Sequence, residues 1–191
     1  MKIKDFTKLK LPEKSGVYFF RDGKNILYIG KATSLRDRVR SYFASDLINT
    51  RGPLLVDMVF KSKTIKWQET DSVLEALILE AELIKKYKPH YNTKEKDDKS
   101  FNYVCITNDK TPKVLVIRGK NLKNNTYKKT FGPFTNGMQL REALKIIRRI
   151  FPFFDEKSNN KYNREFYKQL ELVPKENYKE NIRNLILFFE G

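Results

Sequence analysis

The sequence predicts an α+β fold, in which helices flank a small three-stranded antiparallel sheet and a smaller α+β region follows. Residues 16–31, GVYFFRDGKNILYIGK, are typical of two strands joined by a tight turn. Residues 72–87 carry apolar side chains at helical spacing. Two further strand-like runs begin near residue 101. We therefore expect two domains, 1–95 and 96–191, with their boundary within 93–100.

The first domain alternates strands and helices. The expected elements are strands at 16–21 and 25–31, helices at 32–43 and 54–60, a strand at 63–68 and a helix at 72–87. Thr33 or Ser34 is expected to cap the helix at 32–43, and Asp71 or Ser72 the one at 72–87. Pro89 ends that long helix.

The second domain is predicted to contain two strands and two helices. The segments FNYVCIT and PKVLVIR are the strands, and residues 137–151 form an amphipathic helix after the turn FGPF. KNLKNNTYKK is predicted as a polar loop and EKSNNKYNRE as a polar connection. YKENIRNLILFFEG is expected to close the chain as a helix.

Composition indicates the kind of partner. Of 191 residues, 40% are apolar and 13% aromatic, which suffices for a packed core and argues against disorder. The formal net charge is +16. A surplus of this size favours a polyanion, and nucleic acid is the commonest one. A lysine-rich solubilising surface is the alternative explanation.

One cysteine and one histidine limit the possible chemistry. A disulfide within the chain, a cysteine zinc site and a multi-histidine metal site are excluded, and a Ser-His-Asp triad is disfavoured. Cys105 lies in an apolar run and is expected in the core, and His90 is expected in a loop. Without an apolar leader or a stretch of membrane-spanning length, we expect a soluble, cytoplasmic protein with no membrane partner.

Glu80 stands among apolar side chains of the long helix. At helical spacing, one face carries Val73, Ala76, Leu77, Glu80, Leu83, Ile84 and Tyr87. A carboxylate on a core face needs a cation, a metal or a proton. A narrower apolar face would instead leave Glu80 at its edge, in contact with water. Periodicity does not decide between these two readings.

The shorter helix shows the same pattern with a positive charge. Arg38 follows Leu35 by three residues and precedes Tyr42 by four, so it shares their face, whereas Arg36 and Arg40 point to solvent. A structural ion pair between the inward-facing arginine and the inward-facing glutamate would explain both charges. A catalytic pocket would explain them equally well, and would also account for the tyrosines of the hairpin.

Those tyrosines are close to a glycine and a lysine. Tyr28 shares a strand face with Gly30, which leaves room for another backbone or a ligand, and Lys31 ends the strand. One concave surface is then expected to be lined by Tyr18, Tyr28, Gly30, Lys31, Arg38 and Glu80.

These residues resemble the GIY-YIG nuclease domain, whose name describes triplets like GVY at 16–18 and YIG at 28–30. The match is closer to the N-terminal half of the UvrC/Cho family of nucleotide excision repair. It is carried by YIGKA at 28–32, RVRSYF at 38–43, EALILE at 75–80, LIKKYKPHYN at 83–92 and DDKS at 97–100.

The resemblance continues through FGPFTNGMQLREALKIIRRIFPF at 131–153. Four cysteines follow in the family and are thought to hold an iron–sulfur cluster, but the corresponding residues 154–165 contain no cysteine. We therefore expect no such cluster. The resemblance does not extend to the UvrB-contacting motif or to the C-terminal RNase H-like nuclease domain of UvrC.

The resemblance implies hydrolysis of a DNA phosphodiester with one divalent metal ion, Mg²⁺ or Mn²⁺. Glu80 would be its only protein ligand, which suits Mg²⁺ because this ion keeps several waters. Tyr28 would act as general base, and Lys31 together with the metal would lower its pKa. Glu82 stands where the family usually has asparagine, with little expected effect.

The other implied site residues hold the phosphate, the water or the site itself. Arg38 would neutralise charge on the phosphoryl oxygens. Tyr18 and Tyr42 would position the water or the phosphate, and Asn92 would support the site from the loop after the long helix.

Basic residues near the site are expected to bind the DNA backbone without regard to sequence. These are Lys31, Arg36, Arg40, Arg51, Lys94, Lys96 and Lys99. A second phosphate-facing edge is expected on the helix at 137–151, from Arg141, Lys145, Arg148 and Arg149.

Three functions follow from the resemblance. The first is a metal-dependent endonuclease that nicks damaged duplex DNA, with UvrB or the UvrA–UvrB complex as a partner. The second is an accessory protein that binds DNA without cutting it, which the missing cysteines favour. The third is a free-standing GIY-YIG nuclease for recombination or defence, against which the segment at 131–153 argues.

Overall fold

The computed structural model describes residues 9–44, 46–93, 101–123, 126–159, 161–170, 172 and 178–190. The chain divides into two compact units, Met1–Asp97 and Asp98–Gly191. The expected boundary between residues 95 and 96 lies outside the described residues. Within the described part of the chain, no helix is both long and apolar enough to cross a membrane.

Three antiparallel strands form the sheet of the first unit, in the order β2-β1-β3. They are β1 at Gly16–Asp22, β2 at Asn25–Ala32 and β3 at Thr64–Glu69. The turn between β1 and β2 places Gly23 at a φ of 58°, which glycine adopts without steric cost. Across the hairpin, Tyr18 pairs with Gly30 and Phe20 with Tyr28. The predicted hairpin and third strand are confirmed.

Two helices cover the face of this sheet that carries Tyr18 and Phe20. They are α1 at Leu35–Arg40 and α2 at Leu47–Lys61. Ser34, one of the two predicted caps, accepts a hydrogen bond from the amide of Asp37 at 3.2 Å. The predicted helix over 32–43 is too long, because Ala32 still pairs in β2 and the segment Ser41–Phe43 tightens into a 3₁₀ turn.

The second helix consists of two segments. Gly52, with a φ of 78° and a ψ of 167°, is not helical and interrupts α2 at a kink. The segment after this residue corresponds to the helix predicted at 54–60. The segment before it, which begins at Leu47, was not predicted from the sequence.

The opposite face of the sheet packs against α3, Val73–Tyr87, through Val17, Ile29 and Ile84. Ser72, a predicted cap, accepts a hydrogen bond from the amide of Glu75 at 3.1 Å. The helix ends at Lys88, whose φ of 44° is left-handed, just before Pro89. A short helix follows, α4 at His90–Thr93; His90 begins this helix and does not lie in a loop.

The second unit contains another three-stranded antiparallel sheet, in the order β5-β4-β6. Its elements are β4 at Asn102–Thr107, β5 at Val114–Arg118, β6 at Tyr127–Phe134, α5 at Gly137–Ile150, α6 at Lys161–Gln169 and α7 at Tyr178–Glu190. Cys105 is buried in β4, as predicted.

Two secondary-structure predictions for this unit are wrong. The segment expected as a loop and a turn, from Tyr127 to Phe134, pairs with β4 as an edge strand. Its exposed lysines at 128 and 129 made it resemble a loop. The segment expected as a polar connection, 156–165, contains the first residues of α6.

Arg148 is buried in the second unit. The prediction that it belongs to a phosphate-facing edge is therefore wrong. The residue is 6% exposed. Nη1 pairs with the carboxylate of Asp155 at 2.8 Å, and Nη2 donates to Oγ of Ser158 at 3.1 Å. The guanidinium also stacks on Tyr167, 4.1 Å from the ring centre. By contrast, Arg141, Lys145 and Arg149 are exposed.

Candidate active site

Side chains from other elements form hydrogen bonds with backbone groups on the outer edge of β2. As the outermost strand, β2 presents N–H and C=O groups that no neighbouring strand can pair. The Asn92 side chain accepts from the amide of Ile29 and donates to its carbonyl, both at 2.8 Å. Oε1 of Glu80 accepts from the amide of Lys31 at 3.0 Å. These contacts fix both side chains against β2.

Glu80 is buried on α3, with 5% of its surface exposed. Of the two readings of the sequence, the one that places it on the core face is therefore confirmed. The predicted extent of that face is wrong at both ends of the helix, because Val73 and Tyr87 are 41% and 47% exposed. Ala81, which was not predicted on this face, is buried. Glu82 is exposed, as expected.

Three phenols meet beside this edge. The hydroxyls of Tyr18 and Tyr42 lie 2.9 Å apart, within hydrogen-bond distance. The ring centre of Tyr28 lies 6.3 Å from each of the other two. Nε of Arg38 donates to the Tyr18 hydroxyl at 3.3 Å. The hairpin register brings this about, because Tyr18 faces Gly30 and its ring fills the space left by the missing side chain.

Burial dominates the electrostatics of the phenols. It raises the pKa of Tyr18 and of Tyr28 well above the ordinary value, and the neighbouring phenols, together with Glu80 in the case of Tyr28, raise it further. In the chain without a metal ion, the pKa of Tyr28 is thus raised, and the lowering expected from Lys31 together with a metal stays a prediction. Burial lowers the pKa of Lys31, with Glu80 acting in the opposite direction.

Arg38 remains a cation in this cluster. Burial by itself lowers the pKa of its guanidinium, but the oxygens of Tyr18 and Tyr42 outweigh burial, so the pKa is raised overall. The side chain is half-buried, whereas Arg36 and Arg40 on the same helix are exposed. This is the arrangement that the helical spacing predicted.

The buried cluster fits a hard divalent cation. Glu80 contributes a carboxylate, the type of oxygen ligand that Mg²⁺ prefers, and its Oε1 is oriented by a backbone amide. The residues brought together here are those predicted from the sequence: Tyr18, Tyr28, Lys31, Arg38, Tyr42, Glu80 and Asn92. Of the predicted DNA contacts, Lys94, Lys96 and Lys99 lie outside the described residues. Arg36 forms an ion pair with Glu13.

Arg51 has a closer relation to this cluster than its place among the predicted DNA contacts suggested. Its guanidinium carbon lies 4.7 Å from the centre of the Tyr42 ring, and Nη2 donates to Oγ of Ser41 at 3.0 Å. Ser41 in turn donates to the carbonyl of Arg38 at 2.7 Å. The kink at Gly52 follows immediately, so no helical periodicity in the sequence connected Arg51 with Tyr42.

Comparison with known proteins places the cluster in a family. A family model for the UvrC-like GIY-YIG domain matches residues 14–93. The UvrABC system protein C of Synechocystis sp. is 37% identical over 194 residues, covering 95% of this chain and 30% of the relative. That of Alkaliphilus oremlandii is 41% identical over 197 residues, with shares of 95% and 31%. The chain thus spans about a third of the length of these relatives.

A solved structure matches the first unit. The GIY-YIG N-terminal endonuclease domain of UvrC from Thermotoga maritima, bound to its catalytic divalent cation magnesium, is 38% identical. The match covers 49% of this chain and 100% of that domain, with a TM-score of 0.42. A point mutant of the same domain, also bound to the divalent cation, matches at 37% identity and 99% coverage. The family model over residues 14–93 and the identity of the UvrC relatives over 95% of this chain show that it belongs to the UvrC family and contains a UvrC-like GIY-YIG domain.

Proposed function

We propose that this chain is a metal-dependent DNA endonuclease of the UvrC/Cho type, which hydrolyses a phosphodiester near damage in nucleotide excision repair. The observation that carries the proposal is the buried Glu80 carboxylate, held at the edge of β2 in a cluster with three phenols and a guanidinium. A protein that only bound DNA would have no use for a buried carboxylate beside these groups.

Glu80 is the residue that would hold the metal, as Mg²⁺ or Mn²⁺. The bound ion supplies charge stabilisation at the phosphoryl and leaving oxygens. The T. maritima domain bound to magnesium supports this assignment. The Lys31 amide fixes one carboxylate oxygen, so the carboxylate is oriented by the fold itself.

The remaining residues handle the proton and the phosphate. Tyr28 would accept the proton of the attacking water. Because burial raises the pKa of Tyr28, this role requires that the phenol loses its proton only in the assembled site. The charged Arg38 would hold the phosphoryl oxygens through guanidinium donors. Tyr18 and Tyr42, joined through their hydroxyls, would position the water or the phosphate.

We propose damaged duplex DNA as the substrate and the UvrA–UvrB complex as the partner that delivers it. The names of the relatives as components of the UvrABC system support this proposal. Lys31, Arg36 and Arg40 are the basic residues of the first unit that we assign to the phosphates beside the cut.

The test is nicking of an end-labelled duplex that contains one lesion, with Mg²⁺ or Mn²⁺ and with or without UvrA and UvrB. Glu80→Gln keeps the acceptor for the Lys31 amide but removes the charge. We expect it to lower the nicking rate by about a thousandfold, the size expected for a lost metal contribution of several kcal/mol. Tyr28→Phe should also abolish nicking.

Glu82→Gln provides a matched control, because this exposed carboxylate lies two residues further along the same helix. Its nicking rate should remain that of the wild type. Tight binding of damaged DNA without a nick under every condition would instead identify an accessory protein. Cutting of undamaged DNA without UvrA and UvrB would identify a free-standing nuclease.

A further inference from the structure

A groove on the α3 side of the first sheet is separate from the cluster around Glu80. It has a volume of about 760 Å³, within the range of pockets that enclose a drug-sized or nucleotide-sized ligand. Its floor consists of strand side chains that alternate with those of the tyrosine face, including Phe19 and Arg21 of β1 and Lys66 of β3. Its wall is formed by Tyr87 and His90.

The charge of the groove has a single sign. Arg21, Lys24 and Lys66 line it, and none of the described residues that line it is acidic. Nε of Arg21 is buried and has no hydrogen-bond partner in the described part of the chain, while Nη2 donates to the carbonyl of Lys24 at 3.1 Å. An anion bound beside this guanidinium would compensate for a polar group that the fold leaves unsatisfied.

The groove also exposes an aromatic ring. Tyr87 is the last residue of α3, and it is 47% exposed at the groove wall. The core of the domain does not explain this ring, since the burial of α3 ends with Ile84. Cations that follow a phosphate backbone, together with an aromatic surface for bases, are the combination that binds single-stranded nucleic acid. In a duplex the bases are already stacked on one another.

We propose that this groove binds an unpaired stretch of the DNA strand, with a base stacked on Tyr87 and phosphates on Arg21, Lys24 and Lys66. This proposal rests on the proposed function, because it assumes that the bound strand is part of the DNA substrate. Seven residues of α3 separate Tyr87 from Glu80, which corresponds to about 10 Å along the helix. The stacked base would then lie within a few nucleotides of the cut.

The test measures binding by fluorescence anisotropy, in EDTA so that no cutting occurs. One probe is a labelled single strand of about twelve nucleotides, a length within the range that single-strand-binding domains cover. The other probe is the same sequence as a full duplex. Tyr87→Ala should weaken single-strand binding about tenfold and leave duplex binding unchanged within about twofold. Tyr87→Trp should retain single-strand binding, because indole also stacks on bases.

The matched control is Phe60→Ala, which removes another exposed aromatic ring of the same unit, 78% exposed and outside the groove. It should not change single-strand binding. The double variant Lys24→Ala with Lys66→Ala should reduce the salt slope of single-strand binding by about 1.4, as expected for two lost phosphate contacts. Lys85→Ala changes an exposed lysine of α3 outside the groove, so it should leave this salt slope unchanged.

Three results would overturn the proposal. Tyr87→Ala could bind the single strand as tightly as the wild type, or Phe60→Ala could weaken single-strand binding as much as Tyr87→Ala does. Tyr87→Ala could also weaken duplex binding as much as single-strand binding, which would indicate a duplex site. Because the assay contains no metal, it is independent of nicking. Loss of single-strand binding in Tyr87→Ala would support the groove even if the wild type proved not to cut.

Discussion

The ring of Tyr18 occupies the space that a side chain on Gly30 would need. A Cβ placed on Gly30 would lie 2.5 Å from Cζ and 3.0 Å from Cε2 of Tyr18. The two residues face each other across β1 and β2, and the Tyr18 hydroxyl contacts Tyr42 and Arg38. The absence of a side chain at Gly30 is therefore required for the phenol cluster to form.

Gly30→Ala should displace Tyr18 and separate its hydroxyl from Tyr42. We expect the nicking rate to fall by about a hundredfold, the effect of a displacement near 1 Å. The free energy of unfolding should fall by about 1–3 kcal/mol because the site is overpacked. Gly23→Asn is the control, since nothing lies within 4 Å of this position and asparagine tolerates its positive φ. Wild-type nicking by Gly30→Ala would contradict the prediction.

Asn92→Leu should destabilise the first unit. The substitution leaves both the amide and the carbonyl of Ile29 without their hydrogen-bond partner, at a cost of about 2–4 kcal/mol for two buried groups. Urea denaturation followed by circular dichroism measures the loss. Asn92→Asp should also destabilise the unit, because a carboxylate oxygen would then face the Ile29 carbonyl in a buried position. A leucine variant as stable as the wild type would show that water replaces these bonds.

Much of the candidate site was predictable because helical spacing identifies charges that share an apolar face. Glu80 and Arg38 were found in this way. The same rule would have found Arg148, which follows the buried Leu144 by four residues. Its neighbour Arg149 made the pair resemble a solvated charge run instead.

Other features depend on contacts between distant parts of the chain. The two hydrogen bonds of Asn92 require the register of β2 and the path of α4, 63 residues apart in sequence. The stacking of Arg51 on Tyr42 requires the bend at Gly52. The strand β6 was missed because an edge strand with exposed lysines has the composition of a loop. None of these leaves a local signal in the sequence.

Tyr18→Phe should make the stability of the metal-free protein less sensitive to alkaline pH. Burial raises the pKa of Tyr18, so the folded chain keeps this proton where the unfolded chain, with a pKa of about 10, loses it. The free energy of unfolding therefore falls as the pH rises above about 10, and Tyr18 makes no such contribution at lower pH.

Urea denaturation between about pH 8 and 11, spanning the ordinary tyrosine pKa, tests this expectation. The difference in stability between the wild type and Tyr18→Phe should be constant below pH 10, and should shift in favour of the variant above it. Tyr87→Phe is the control, because this substitution also removes a phenol hydroxyl but at a residue that is 47% exposed. Parallel curves for the wild type and Tyr18→Phe over the whole range would contradict the assignment.

Arg51→Ala should lower the rate of nicking more than it weakens binding. The guanidinium stacks on Tyr42 and bonds Ser41, contacts that together contribute about 1.5–2 kcal/mol. We expect kcat to fall about tenfold while KM changes by less than twofold. Arg51→Lys should recover only part of the rate, because an ammonium lacks the planar fork.

The alternative role of Arg51, as a direct phosphate contact, gives a different kinetic result. In that case Arg51→Ala would raise KM and reduce the salt slope of DNA binding by about 0.9 for a duplex contact, with kcat unchanged. Measuring kcat and KM at two salt concentrations therefore separates the two roles. Arg40→Ala, at an exposed arginine, is the comparison variant, and it should show the phosphate-contact result.

Arg148→Met should destabilise the second unit strongly, because it leaves the Asp155 carboxylate without the guanidinium that faces it at 2.8 Å. Breaking one side of a buried ion pair costs about 3–5 kcal/mol. Hydrogen exchange of the α5 amides is the appropriate measurement, because it reports the stability of the second unit by itself. Arg149→Met, at the exposed neighbour, should change protection by no more than about 0.5 kcal/mol. Equal protection in the two variants would show that Arg148 adds nothing beyond an ordinary surface arginine.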